Sequence, residues 1–168
     1  PEILRTPSGT IELNHPILMA DLVRLHAAMD AAAHQPLVLV GRRHLRSNNS
    51  WMHNIEVLVK GKPRCTLHVH PDDAARLGLS DGGVARVTSR VGTVDVAVEV
   101  TDSIRPGVVS LPNGWGHGQP GTRMRVAAER AGVNSNILAD HTAIDPLSGT
   151  SVLNGIPVEI VGVAVAAV

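Results

Sequence analysis

Three arginines and a run of small hydrogen-bonding side chains leave the end of one apolar segment together. The stretch is Gly41-Arg42-Arg43-His44-Leu45-Arg46-Ser47-Asn48-Asn49-Ser50-Trp51, directly behind Leu37-Val38-Leu39-Val40. Four apolar residues ended by Gly41 read as a short buried strand. Arginine offers five donors in a fixed fork that suits phosphates and planar heterocycles. Asn and Ser add short groups that both donate and accept. Together they suit a nucleotide or a phosphorylated cofactor. The alternative for these residues alone is a solvated basic loop.

Other groups with chemical potential carry less. His68 and His70 stand two apart on one strand face, with His117 elsewhere. Zinc asks for three or four ligands and this pair supplies two, so we expect no metal site. His70 before Pro71 fits a helix start instead. No Gly-x-Ser-x-Gly elbow is present, so a hydrolase triad is not expected and no catalytic residue is assigned. Cys65 alternates with core positions and reads as a small buried apolar residue. Gly114-Trp115-Gly116-His117-Gly118 matches no phosphate-cradling fingerprint, although its glycines would let backbone amides approach a ligand. Asn134-Ser135-Asn136 could read a heterocycle edge or stabilise a turn through its own side chains.

The elements that must position these residues are short. Leu18, Leu22, Leu25 and Met29 recur at helical spacing and predict a helix over about 17–33. Strands are expected at 37–40, 55–59, 64–70, 84–89, 94–100, 108–111 and 156–163. Residues 71–78 read as one short helix, with Pro71 in the first turn, Asp72 and Asp73 at the positive dipole end, and Gly78 just past its end. Residues 112–121 form a Gly/Pro-rich loop, and 132–145 read as irregular. Many short strands with Gly/Pro turns argue for a β-barrel or sandwich.

Composition sets bounds. At 168 residues with no Phe, no Tyr and two Trp, the core must be built from Val, Leu, Ile and Ala. A formal net charge of zero argues against a nucleic-acid or membrane-surface binder. A single Cys excludes a disulfide framework. No apolar run reaches the length of a membrane span and no signal peptide is visible, so the cytoplasm is the expected compartment. A chain that opens on Pro1 is read as a piece of a longer polypeptide.

In their order these segments resemble one family. Thr6-Pro7-Ser8-Gly9-Thr10-Ile11-Glu12-Leu13 resembles the "TPSGKIEL" junction of molybdopterin oxidoreductases of the dimethyl-sulfoxide-reductase superfamily. Leu39 to Arg43 resembles the first cofactor loop of their C-terminal dinucleotide-binding domain. His70 to Leu79 resembles "HPEDAAELGI", Asp81 to Gly92 resembles "DGDxVRVxSRRG", and Arg105 to Val109 resembles "xRPGVV". Asn134 to Leu138 with Asp145 to Gly149 is similar to the closing "NxLxxxxxDPxSG". The resemblance spans nearly the whole chain.

The resemblance implies a mainly β fold, a double-psi β-barrel of the aspartate-decarboxylase-like type, with one N-terminal helix and short connecting helices. It implies an arm and helix over 1–36, the junction to an upstream catalytic domain, and a molybdopterin guanine dinucleotide-binding barrel over 37–168. By the same resemblance Gly41, Arg42, Arg43, Arg46 and Asn48 would face the pterin and its phosphates. Asn113, Trp115 and His117 would lie in a loop beside the cofactor. Asn136 aligns with a cofactor-contacting Asn, with Asn134 next to it, and Asn154 stands where the family usually has Lys. The metal, Mo or W, its protein ligand and any iron–sulfur cluster would belong to upstream domains of the same polypeptide.

The expected function is therefore that of the cofactor-binding domain of a molybdopterin-dependent oxidoreductase, with a formate-dehydrogenase- or nitrate-reductase-like parent. The fragment itself is not expected to turn over, since metal ligand and substrate funnel lie elsewhere. The alternative is a stand-alone double-psi barrel that serves as a binding or adaptor module. A self-processing barrel is less favoured, because such barrels mature at a Gly-Ser bond and the chain has none.

Overall fold

The computed structural model describes residues 3–32 and 37–164. The chain divides into two compact units: Pro1–Gln35 with Asp145–Thr150, and Pro36–Ile144 with Ser151–Val168.

The first unit holds two helices, α1 (Pro16–Ala20) and α2 (Leu22–Ala32), separated at Asp21. The single helix expected over 17–33 is thus two; residue 33 lies outside the described residues. His15 caps α1 by accepting from the Ile17 amide, and Pro16 occupies the first turn. Leu18, Leu25 and Met29, the periodic apolar face, stay exposed. In the same unit Asp145 accepts from the amide and hydroxyl of Ser148, closing a turn.

The second unit is mainly β. Seven strands form one mixed sheet: β1 (Val38–Arg42), β2 (Thr66–Val69), β3 (Val84–Thr88), β4 (Thr93–Val100), β5 (Val108–Pro112), β6 (Ile156–Pro157) and β7 (Glu159–Val163). Their order is β6-β1-β5-β2-β4-β3-β7. β1 runs parallel to β5 and β2 parallel to β4, while β3 pairs antiparallel with β4 and β7. Only Val158 separates β6 from β7, so one continuous stretch forms both edges of the sheet and curls it back on itself. The Val158 amide completes that bend by donating to the Leu37 carbonyl at 3.1 Å.

The core is aliphatic. Leu39, Leu67, Val69, Ala85, Val87, Val96, Val98, Val109, Leu111, Leu138 and Ile160 are buried together. Val94, Val96 and Val98 alternate inward along β4, as a period of two requires. In β2, Thr66 is buried as well as Leu67 and Val69, because this strand is covered on both faces.

Two expectations are corrected. The strand at 37–40 continues through Gly41 and ends at Arg42, whose register partner is Pro112. Residues 55–59, expected as a strand, form the single-turn helix α3 (Glu56–Val59). Their Val-rich composition yields because no strand lies beside them. Instead the Arg64 guanidinium donates to the carbonyls of Leu58 and Lys60, both at 2.9 Å, and satisfies the acceptors left open at the helix end.

Helix α4 (Pro71–Leu77) forms as its local signals dictate. His70 accepts from the Asp72 amide, and Gly78 takes the left-handed conformation that ends the helix. Buried Asp73 ties this helix to the turn before β5, accepting from the Gly107 amide and from Arg76, each at 2.7 Å. Burial pushes the Asp73 carboxyl up, but Arg76 and the Gly107 amide outweigh it and hold it below its ordinary 3.8. A depressed carboxyl contributes stability above its unfolded pKa and loses it as pH falls through the folded value. Asp73→Asn should therefore cost about 1–2 kcal/mol at neutral pH. Its unfolding free energy, measured in urea, should also depend less on pH below about 4 than that of the unsubstituted protein.

Candidate cofactor-binding cleft

β1 and β5 are parallel and in register, so the loops behind Arg42 and Pro112 leave the same end of the sheet side by side. β2 runs antiparallel to β5 and brings Thr66 to that end too. β2 and β5 are bridged at one residue pair, His68 and Ser110. The Arg42 guanidinium adds a second link between these strands. It donates from Nη1 to the Ser110 carbonyl at 3.0 Å and from Nη2 to the Thr66 carbonyl at 2.9 Å. Burial lowers its pKa, and Glu99 opposes that shift. Glu99 in turn accepts from the Thr66 hydroxyl at 2.6 Å and lies 3.4 Å from His68.

A cleft of about 160 Å³ opens beside this end of the sheet. It brings together six of the sequence-predicted residues: Gly41, Arg42, Arg43, Asn113, Asn136 and Asn154. Asn154 Oδ1 accepts from the Gly41 amide at 2.7 Å. Asn134 caps the 3₁₀ turn Ser135–Leu138 by accepting from the Asn136 amide at 3.0 Å, which sets Asn136 at the cleft wall. Arg43 is exposed and donates to Asn49 Oδ1. Among the described residues, the side chains of Asn113, Ser135 and Asn136 make no hydrogen bond within the protein. They are free to donate and accept toward a ligand.

The remaining predicted residues lie elsewhere. Arg46 turns to the Val57 carbonyl at 3.0 Å. Asn48 and Asn49 occupy left-handed backbone with φ of 43° and 62°, a conformation Asn tolerates better than most residues. Trp115 and His117, expected beside the cofactor, are not cleft residues; they are 7% and 8% exposed in a buried cluster with His53 and Ser47. His53 Nδ1 lies 2.8 Å from His117 Nε2, and His53 Nε2 lies 2.8 Å from Ser47 Oγ. The His53 ring stacks on Trp115 with centroids 3.9 Å apart. Trp51, by contrast, is exposed.

Sequence reasoning missed His53, and it named Asn49 and Ser135 only as members of polar runs. The paired Asn48-Asn49 was a usable signal for a left-handed turn; nothing local to His53 marks it as buried. His68 pairs with Glu99 and His70 caps α4. Cys65 is half-buried, with its Sγ accepting from the Val133 amide at 3.3 Å, and burial pushes its thiol up.

The donor set fits a dinucleotide. Unpartnered amides read heterocycle edges, and an exposed Arg beside a strand end suits a phosphate.

A family model described as molydopterin dinucleotide binding domain matches residues 37–157. The dimethyl sulfoxide/trimethylamine N-oxide reductase of Rhodobacter capsulatus is 32% identical over 132 residues, covering 67% of this chain and 15% of that protein. The arsenate respiratory reductase molybdopterin-containing subunit ArrA of Chrysiogenes arsenatis is 28% identical over 123 residues, covering 69% of this chain and 14% of that protein. The chain thus spans about 15% of the length of the curated relatives it matches. Among solved structures, acetylene hydratase from Pelobacter acetylenicus shares the fold at a TM-score of 0.67 and 22% identity, over 93% of this chain and 24% of that one. The family match covers β1 to β6 and every residue of the cleft, and the chain belongs to the molydopterin dinucleotide binding domain family.

Proposed function

We propose that this chain holds the molybdopterin guanine dinucleotide of a molybdopterin-dependent oxidoreductase, with residues 37–168 as the cofactor barrel and 1–36 as the junction to upstream domains. The observation that carries this reading is the cleft at the paired ends of β1 and β5, where Arg43, Asn113 and Asn136 converge within a family match. A double-psi barrel is the closed form we assign to the sheet. The two parallel pairs, β1 with β5 and β2 with β4, and the single stretch forming both edges support it.

Bound in the full protein, the cofactor supplies redox chemistry at Mo or W; this chain supplies binding and orientation. Arg43 offers a charge-assisted donor to a phosphate. Asn113 and Asn136 pair with heterocycle edges without adding charge. Asn154 holds the Gly41 amide and keeps the floor of the cleft in place. The metal ligand, any iron–sulfur cluster and the substrate site belong to upstream domains of the same polypeptide. A small substrate exchanging electrons or an oxygen atom, as in a formate-dehydrogenase- or nitrate-reductase-like parent, completes the reading.

Asn136→Ala tests it directly. The side chain has no partner in the protein, so its loss should leave the thermal midpoint unchanged. Cofactor affinity should fall about tenfold, the worth of one good hydrogen bond. Pterin content after dialysis of the purified protein measures this, and full retention would overturn the role of Asn136.

A further inference from the structure

The cofactor-facing residues sit on two separate loops, 43–54 behind β1 and 113–136 behind β5. One very tight backbone contact joins them, and a second braces the later loop against itself. A Cβ at Gly114 would stand 1.9 Å from the Asn49 carbonyl oxygen, and one at Gly116 would stand 2.7 Å from the Asn134 Cβ. Between these contacts runs the buried chain Ser47–His53–His117, with Trp115 stacked on its middle ring. On one side Ser47 and His53 belong to the loop that carries Arg43 and Asn49. On the other, His117 belongs to the loop that rests on Asn134, the cap that sets Asn136.

We propose that Ser47, His53 and His117 form a one-proton strut that positions the Arg43–Asn49 limb against the Asn113–Asn136 limb, and that acid releases it. The inference rests on the dinucleotide reading above and assigns its control. Two imidazole nitrogens 2.8 Å apart share one proton between them. A proton added to the pair can keep this bridging bond, but it places a positive charge in a buried cluster. The groups facing the pair offer no counter-ion: His44 and Arg64 are cationic when charged, and Ser47 and Trp115 are neutral. Only the Gly114 carbonyl favours protonation.

Burial pushes His53 down from its ordinary 6.5 to about 4, and His117 adds to the shift. Burial also lowers His117. A base whose closed-state pKa is depressed holds its full contribution above its open-state value. As pH falls from 6.5 toward 4 the open state binds more protons, and the strut weakens. His53 and His117 are thus positioning residues, not ligands.

The test uses the cofactor-loaded protein, reading bound pterin and far-ultraviolet circular dichroism from pH 7.5 to 4.5. Unsubstituted protein should lose pterin within the acid window while its sheet signal persists. His53→Gln, which can still bridge Ser47 and His117 but cannot titrate, should bind within about threefold of the parent at neutral pH and lose the acid step. His53→Ala should bind at least about tenfold more weakly at neutral pH. An unchanged acid step in His53→Gln, or parental affinity in His53→Ala, overturns the strut. Should His53→Ala fail to fold, imidazole ¹⁵N shifts of the unsubstituted protein decide: neutral rings sharing one proton near pH 6 support it, and an imidazolium there overturns it. Protein that holds no dinucleotide even at pH 7.5 defeats the cofactor reading instead, while the ¹⁵N result still judges the strut.

Discussion

Arg42→Ala should lower the stability of the β unit by about 3 kcal/mol, the largest loss expected from removing any one side chain near the cleft. Its terminal nitrogens donate to the Ser110 and Thr66 carbonyls, on two strands bridged at only one residue pair. Truncation removes both bonds at buried residues, and lost bonds to a charged group are costly. Arg42→Lys should recover only about half, because one ammonium cannot span both acceptors as a planar fork does. Denaturant unfolding of the three proteins measures this, and a loss below about 1 kcal/mol for Arg42→Ala would refute the clamp. Arg43→Ala should behave in the opposite way, sparing stability and weakening cofactor retention, since Arg43 is exposed and its bond to Asn49 lies on the surface. Both arginines line the cleft, but the structure gives them different bonds: Arg42 holds two strands, and Arg43 faces outward.

Gly114→Ala should be comparably damaging and should also empty the cleft of cofactor. The backbone there has φ of +87°, and an added Cβ would meet the Asn49 carbonyl oxygen at 1.9 Å and its carbon at 2.5 Å. Both are backbone atoms, so no rotamer change relieves the overlap; the 48–50 and 113–115 segments must part, taking His53 away from His117. Gly121 supplies the control. It has the same φ of +87° but nothing within 4 Å of an added Cβ. Gly121→Ala should therefore show the backbone penalty alone, about 1–2 kcal/mol. Gly114→Ala should exceed it by at least about 2 kcal/mol and lose bound pterin. Equal thermal shifts for the two variants would mean that the close approach of the loops carries no energy.

Much of the scaffold was legible from local pattern. The alternating valines of β4, the Pro71 and Gly78 boundaries of α4, and the strands around Asp81-Gly82-Gly83 each follow from rules that act within a few residues. For the cleft, the type and loop position of Arg42 and Arg43 point to it locally, while Asn136 and Asn154 are named only by the family resemblance. What failed was decided outside the apolar run itself. Residues 55–59 look like a strand by composition, yet turn helical where Arg64, four and six residues on, donates to the carbonyls of Lys60 and Leu58 and no neighbouring strand does.

The sequence by itself determined most of the strand segments, where they turn and which loops hold hydrogen-bonding residues, because period, Gly and Pro act locally. Only the tertiary structure separated Arg42 from Arg43, since their difference lies in carbonyls 68 and 24 residues from Arg42. It alone also brought His53 to His117, 64 residues away, since that contact follows from the parallel register of β1 and β5. Local preference selects the elements; which polar group finds which partner is settled by strand pairing, where a buried donor or acceptor left alone costs more than any propensity returns.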